Sequence, residues 1–168
     1  MSGSHHKAPG FAGGYLLHNY NRRLVTYNHR PMRFPVIILM DNDTALSTKT
    51  CQALNKKFGV SISHSATDLF FHLTDNLYLV KTPAVPEKLM SCIEDFFDPV
   101  TKSRPIGGKM FRAEDDGFDK NHHFGKVIFA HKVVAPNAAK IPWGNFSPLL
   151  DRIVAVMIDY ASKLAPPM

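Results

Sequence analysis

Cysteine is scarce in this chain, which has two cysteines, Cys51 and Cys92, among 168 residues. That count excludes a disulfide scaffold, a four-cysteine zinc site and a four-cysteine iron–sulfur cluster. The sequence has no run of the ~20 apolar residues that a membrane span requires, and no apolar signal-peptide core follows the N-terminus. We therefore expect a reduced, cytoplasmic protein without a membrane partner.

Acidic residues are absent from the first 40 positions, although the same stretch contains five basic residues. The remaining fifteen Lys and Arg nearly balance fourteen Asp and Glu, so the net charge of +6 is concentrated at one end. We interpret residues 1–34 as a basic leader with a helix over 15–28. Such a leader suits contact with phosphates, and its candidate nucleic-acid-binding residues are Arg22, Arg23, Arg30 and Arg33.

Residues 35–99 have the pattern of a parallel α/β core. Val36–Met40 is continuously apolar and rich in β-branched residues, which indicates a strand buried on both faces in mid-sheet. A helix is expected over 44–58, with Thr44 or Ser47 as its cap and Gly59 as its end. A second apolar strand at 77–80 would follow through a right-handed crossover.

Shorter elements are expected around this core and after it. The pattern predicts short helices near 67–73 and over 91–97, a loop over 100–121, and an apolar segment of ambiguous type at 127–134. A final helix should cover 146–164, with Ser147 as its cap. Its apolar face would contain Leu149, Leu150, Ile153, Val154, Met157 and Tyr160. Residues 100–168 thus form a loop and a C-terminal helical region.

Asp41 and Asp43 come directly after the first predicted strand. The carboxyl edge of a parallel sheet is where open α/β folds bind ligands, and two nearby carboxylates need a cation to neutralise them. The pair is therefore a candidate Mg²⁺ site, of the kind that phosphoryl-transfer enzymes use. The alternative is that Asp41 caps the next helix and Asp43 is a solvated acid in its first turn.

Three further charged residues are candidate catalytic groups. Glu94 and Asp95 follow the second strand and could join Asp41 and Asp43; otherwise they are a surface acid pair above apolar neighbours. Lys81, at the end of that strand, either meets a phosphate or is an exposed strand-end lysine. The motifs of P-loop, Rossmann dinucleotide-binding and serine-hydrolase proteins are absent.

Five segments together resemble one family. They are PVIILMDND at 35–43, NLYLVKTP at 76–83, CIEDFF at 92–97, FGK to FAHKVV within 124–134, and FSPLLDRI at 146–153. In order and spacing they resemble the C-terminal, Toprim-like extension of a class of bacterial retron reverse transcriptases, which act in anti-phage defence. The resemblance covers about residues 10–163. It implies a partial Toprim-like, Rossmann-like α/β fold in which a parallel sheet has flanking helices and a C-terminal helix.

The resemblance also implies a function and its site residues. Toprim domains hold Mg²⁺ with an aspartate pair and with a glutamate from an earlier strand, and they process DNA or RNA phosphodiesters. Asp41 and Asp43 match the aspartate pair, while Glu94 and Asp95 look like the later acidic motif of nuclease-type members. The retron's own msDNA and a polymerase chain are the partners implied.

Two features of the family are missing. No acidic residue precedes Asp41, so the first metal-binding glutamate is absent, and so is the Tyr-x-Asp-Asp motif of the polymerase. We therefore expect a C-terminal fragment of a longer retron protein with little activity alone. The alternative is a non-catalytic module that binds nucleic acid or a partner protein through the basic leader and Tyr15, Tyr20 and Tyr27.

Overall fold

The fold is mixed α/β and is built around a three-stranded sheet. The computed structural model describes residues 33–86, 88–114 and 116–164. In the sheet, β1 (Val36–Met40) pairs in parallel with β3 (Leu77–Lys81), and β2 (Phe71–Thr74) pairs antiparallel with β3. The strand order is β1-β3-β2. The predicted parallel pairing of the two apolar strands is thus confirmed, within a sheet that is mixed.

The central strand of this sheet is β3. All five of its residues are buried. β1 pairs with β3 alone among the described residues, and Leu39 is 41% exposed. The expectation that β1 lies in mid-sheet is therefore wrong for the described part of the chain, because a continuous apolar run has the same pattern at the edge of a sheet as at its centre.

The helix that follows β1 is confirmed. A 3₁₀ turn, Thr44–Leu46, leads into helix α1, Thr48–Phe58. The Ser47 hydroxyl caps α1 by accepting a hydrogen bond from the Thr50 N–H. Gly59 ends the helix in the left-handed conformation, with φ of 67°, which glycine adopts without steric cost.

The helix expected near 67–73 is wrong, because β2 begins at Phe71. Phe71 and Leu73 face the core while His72 is exposed, which is the alternation of a strand with one buried face. A tight turn, with Asp75 at φ of 47°, then returns the chain into β3. The antiparallel pairing of β2 with the wholly buried strand β3 stabilises this segment as a strand. That pairing outweighs the weak helical spacing of the apolar residues in 67–73.

The two faces of the sheet are covered by different helices. On one face, α1 contributes Cys51 and Leu54 to a core with Ile38 and Leu79. On the other face lies the last helix, Ser147–Leu164, which buries Leu149, Val156 and Tyr160 against β3. The 3₁₀ turn Trp143–Phe146 continues directly into this last helix, so Ser147 is its first residue and not its cap.

Only part of the predicted apolar face of the last helix is buried. Leu149 and Tyr160 face the sheet, whereas Leu150, Val154 and Met157 are at least half exposed. The last helix contacts the sheet through a narrow stripe of its residues, and Arg152 occupies one of the buried positions in that stripe. The exposed residues fall on a flank that no described element covers.

Residues 91–146 form a second cluster beside the sheet. Its elements are a 3₁₀ turn (Ile93–Phe96), α2 (Pro99–Lys102), the parallel strands β4 (Met110–Phe111) and β5 (His123–Phe124), α3 (Lys126–Ile128), a π-helix (Phe129–Val134), α4 (Ala135–Asn137) and a 3₁₀ turn (Ala138–Lys140). The last helix, Ser147–Leu164, is therefore α5. Phenylalanines form the core of this cluster: Phe96, Phe97, Phe124, Phe129 and Phe146.

Three expectations for this region are now resolved. The short helix over 91–97 is a 3₁₀ turn, and the ambiguous segment 127–134 is helical with a π-helical stretch. The loop over 100–121 is wrong in part, since it contains the end of α2 and all of β4. Within the described residues no helix is long and apolar enough to cross a membrane.

Candidate functional site at the carboxyl end of β1

Asn42, between the two aspartates, is the anchor of the site. It is 1% exposed, and its amide Nδ2 donates to the carbonyl oxygens of His64 and Leu89, at 3.2 and 2.9 Å. Its backbone N–H donates to Thr82 Oγ1 at 2.8 Å. These bonds tie the end of β1 to three separate stretches of chain. Asp41 and Asp43, on either side of Asn42, are half-buried.

Asp41 is held against the 3₁₀ turn at Ile93–Phe96. Its Oδ1 accepts a hydrogen bond from the Ile93 N–H at 2.9 Å. The alternative that Asp41 caps the helix after β1 is thus wrong, because its carboxylate serves a turn 52 residues further along the chain. Asp43 instead uses its backbone carbonyl to accept from the Leu46 N–H, which starts the turn into α1.

The surroundings of Asp41 disfavour the ionised form of its carboxylate. Burial raises the pKa of Asp41 above its ordinary value, and the charges of Asp43 and Glu94 add to that rise. The Ile93 N–H and the nearby Lys126 ammonium oppose it without cancelling it. Of the two later acids expected to join Asp41 and Asp43, Glu94 lies close enough to raise the pKa of Asp41.

Glu94 is buried and ion-paired. Its Oε2 lies 3.0 Å from Lys126 Nζ, yet this oxygen has no aligned hydrogen-bond partner in the part of the chain that the structure describes. Burial alone would lower the pKa of Lys126, but its ion pair with Glu94 holds the pKa above its ordinary value. The alternative of a surface acid is therefore wrong for Glu94, which is 8% exposed.

Asp95 has a different environment from Glu94. It forms a salt bridge with Lys88 at 2.8 Å and accepts from the Cys92 N–H at 2.8 Å. Burial alone would raise the pKa of Asp95, but these hydrogen bonds hold it below the ordinary value. Asp95 thus closes the turn at Cys92 and neutralises Lys88.

Stability should depend on Asp95 in acid. Because its pKa is lower in the folded chain, its stabilising contribution is complete above pH 3.8 and is lost as the pH falls through the lowered value. Asp95→Asn should cost about 1 kcal/mol of unfolding free energy at pH 7, from the lost ion pair and cap. Urea denaturation from pH 7 to pH 3 should show the two curves converging in acid; Asp151→Asn, on exposed helix surface, is the control. Parallel curves would contradict this role.

Lys81 is buried on the α1 side of the sheet. Its ammonium donates to the carbonyl oxygens of Ser63 and His64, at 2.7 and 2.6 Å. Burial lowers the pKa of Lys81, and the charge of Arg152 lowers it further. The exposed strand-end alternative is therefore wrong. Lys81 holds the 63–64 loop and does not line the cavity described next.

A cavity of about 950 Å³ opens beside the acidic turn. Three acidic residues, Asp43, Glu114 and Asp116, and three cationic ones, Lys88, Lys126 and Arg112, line it. Apolar walls come from Met90, Phe118, Val127 and Ile128. Sequence reasoning missed the three cations as a group, because they lie far apart in the chain and no motif connects them; FGK at 124–126 was the one signal. The cavity thus combines apolar walls with charges of both signs, as ligand sites commonly do.

Cys92 also lines this cavity, but its thiol is not activated. Burial raises the pKa of Cys92 to about 12, helped by a bond from Glu94 and the charge of Asp95. Burial raises the pKa of Cys51 as well. Neither cysteine is therefore a nucleophile at neutral pH.

Alkylation tests this assignment directly. Since iodoacetamide reacts with the thiolate, both thiols of the folded chain should react about 100-fold or more slowly at pH 8.5 than in urea. The rate is followed by mass spectrometry of the intact protein. A folded-state rate equal to the unfolded one would contradict the assignment.

Of the four arginines predicted to bind nucleic acid, the structure describes Arg33. Arg22, Arg23 and Arg30 lie outside the described residues. Arg33 stacks over the Phe34 ring, 5.3 Å from its centroid, just before β1 begins. A five-residue strand spans ~17 Å, so Arg33 lies at the opposite end of β1 from Asp41. A ligand touching both would have to extend along the strand.

A magnesium ion at this sheet edge would need ligands from its substrate as well as from the protein. In the described ranges no group of three or more His, Cys, Asp or Glu side chains is arranged to hold a metal by itself. Mg²⁺ is commonly bound by one or two carboxylates with water and substrate phosphate. Burial and the charges of Asp43 and Glu94 raise the pKa of Asp41, whereas Glu94 already faces a cation, the Lys126 Nζ that lies 3.0 Å from its Oε2.

No protein-family model matches the chain, and no solved structure matches it.

Proposed function

We propose that this chain is a Toprim-like, Mg²⁺-dependent nucleic-acid-processing region, related to the C-terminal extension of retron reverse transcriptases that act in anti-phage defence. The observation that carries the proposal is the acidic turn. Asp41 and Asp43 flank the buried anchor Asn42 at the carboxyl end of a parallel strand pair, beside Glu94 and a cavity lined by charges of both signs. Carboxyl ends of parallel strands are the usual ligand edge of α/β sheets.

The roles of the side chains follow from their charges. Asp41 and Asp43 would hold Mg²⁺ jointly with substrate phosphate, and Glu94 would lie beside them, paired with Lys126. Magnesium supplies neutralisation of phosphate charge and polarisation of the phosphorus–oxygen bond. Lys126, which is cationic and placed between Glu94 and the cavity, would orient the phosphate. Arg112 would add attraction to the backbone of DNA or RNA.

We further propose that the chain acts within a longer protein, with its polymerase or with the retron msDNA. Toprim chemistry uses a glutamate from an earlier strand, and no acid precedes Asp41 in this sequence. The isolated chain should therefore bind nucleic acid in a Mg²⁺-dependent way and cleave it poorly.

Oligonucleotide binding by the 168-residue chain tests the proposal. Fluorescence anisotropy with a labelled single strand should show affinity about tenfold higher in Mg²⁺ than in EDTA, since a bridging cation links carboxylate and phosphate. Asp43→Asn should remove that difference. Asp151→Asn makes the same charge change on exposed α5 surface and should retain it.

The other outcomes are equally informative. Binding that is equally tight in EDTA and in Asp43→Asn would contradict a metal site and favour the non-catalytic binding module. Efficient Mg²⁺-dependent cleavage by the isolated chain would show that no further glutamate is needed. Absence of binding under every condition would overturn both functions.

A further inference from the structure

Phe118 contributes an exposed aromatic ring to the cavity beside the acidic turn. The side chain is 39% exposed, yet the ring is held in place. It packs against the His123 ring, with 5.8 Å between the ring centroids, and lies close to the backbone of Gly125. A fixed aromatic ring at the edge of a cavity is a surface on which a planar group can stack.

The guanidinium of Arg112, in the same cavity, is fixed by the loop that follows it. Its Nε and Nη2 donate to the Asp116 carbonyl oxygen, at 3.0 and 2.6 Å. Gly117 lies directly against the guanidinium, since a Cβ at this position would be 2.9 Å from Nη2. Arginine has five N–H donors, so this pair of bonds orients the side chain and leaves the other donors for a ligand.

Arg112 differs from the other two cations of the cavity in its partner. Lys88 is paired with Asp95, and Lys126 is paired with Glu94. Arg112 bonds a neutral carbonyl, and among the described residues no carboxylate forms an ion pair with it. Its charge is therefore not neutralised by a direct ion pair, and its planar fork matches the oxygens of a phosphate.

The ring and the cation are close together, because Gly117, which the guanidinium contacts, directly precedes Phe118. We propose that this cavity takes one unstacked nucleotide of a single strand, with its base on Phe118 and its phosphate on Arg112, a substrate class that rests on the function proposed above. Bases in a duplex are stacked on one another and would have to be flipped out to reach the ring.

The rest of the cavity suits the same ligand. Its volume of about 950 Å³ lies within the range of ~300–1,000 Å³ that is usual for ligand sites. Glu114 and Asp116 also line it, and carboxylates accept hydrogen bonds from the amino groups on base edges. The charges of both signs thus match a nucleotide, which has an anionic phosphate and a base that donates hydrogen bonds.

Comparison of a single strand with a duplex tests the proposal in the full chain. Fluorescence anisotropy in Mg²⁺ should show that a short labelled DNA strand binds about tenfold more tightly than the same strand annealed to its complement, the size of one base–aromatic stack. Phe118→Ala should remove this preference, whereas Phe118→Tyr should retain it because the ring remains. Leu69→Ala, an exposed apolar residue that does not line the cavity, should also retain it.

Gly117→Ala tests the placement of Arg112 without changing its charge. The added methyl group displaces the guanidinium, so the affinity for the single strand should fall about tenfold. Gly108→Ala is the matched control, because Gly108 also has a positive φ, of 76°, but a Cβ there meets nothing within 4 Å. Both variants should have the same backbone strain, as measured by thermal melts, and only Gly117→Ala should lose affinity.

The outcomes separate this nucleotide site from the metal site. Equal affinity for single strand and duplex, with the Mg²⁺ effect intact, would overturn the nucleotide site and leave the proposed function standing, as would a single-strand preference that survives Phe118→Ala. A preference that Phe118→Ala removes but that needs no Mg²⁺ would support the nucleotide site and contradict the metal site. Equal losses of affinity in Gly117→Ala and Gly108→Ala would overturn the assignment of the phosphate to Arg112.

Discussion

Asp41→Asn should stabilise the fold at neutral pH while it abolishes the Mg²⁺-dependent part of oligonucleotide binding. Burial and the charges of Asp43 and Glu94 disfavour the ionised form, so the folded chain carries a penalty once Asp41 is deprotonated. Asparagine removes this charge and still presents an oxygen to the Ile93 N–H. Gain of stability with loss of function is the signature of a residue retained for chemistry.

The sign of the pH dependence distinguishes Asp41 from Asp95. Because the pKa of Asp41 is raised in the folded chain, the fold holds more protons than the unfolded chain just above pH 3.8, and stability falls as the pH rises through that window. Asp41→Asn should remove this fall, as measured by thermal melts from pH 3 to pH 7. Destabilisation by Asp41→Asn at pH 7 would show instead that the carboxylate is a structural group.

Leu79→Ala should have the largest effect on stability. Leu79 is fully buried at the middle of β3, where it packs against Ile38 and Leu54. Truncation of such a residue removes the transfer free energy of its methyl groups and leaves a cavity, at a cost of about 3 kcal/mol. We therefore expect a large decrease in the urea midpoint with an unchanged slope.

Leu69→Ala is the matched control for Leu79→Ala. Leu69 is 52% exposed, so the same change in chemistry should cost less than about 1 kcal/mol there. If the two variants lose equal stability, β3 is not the centre of the cooperative core.

Local signals predicted the elements that begin and end with distinctive residues. Ser47 and Gly59 specify α1 through a hydroxyl cap and a left-handed end, and the apolar runs specify β1 and β3. These are short-range effects, so a single sequence reveals them. β2 was missed because its strand character depends on pairing with β3, which no local pattern contains.

In the candidate site, too, some features follow from local sequence and others depend on contacts between distant residues. The proximity of Asp41 to Asp43 follows from their spacing, and the approach of Glu94 follows from a turn at the same sheet edge. The roles of Lys126 and Asn42 depend on contacts between residues that are 22 to 47 positions apart. The exposure of apolar residues along α5 could not be predicted from the sequence either. Helical periodicity identifies the apolar face of a helix, but it does not show how much of that face the neighbouring elements cover.

The bonds of Asn42 have a consequence for how the acidic turn moves. A ligand-binding loop ordinarily opens by itself, at a small fraction of the global unfolding free energy. Here the residue between the two carboxylates is joined to His64, Thr82 and Leu89, so the turn cannot open unless three other stretches of chain release it. The carboxylates are consequently preorganised: a cation or phosphate arriving at this edge would not have to supply the free energy of ordering them.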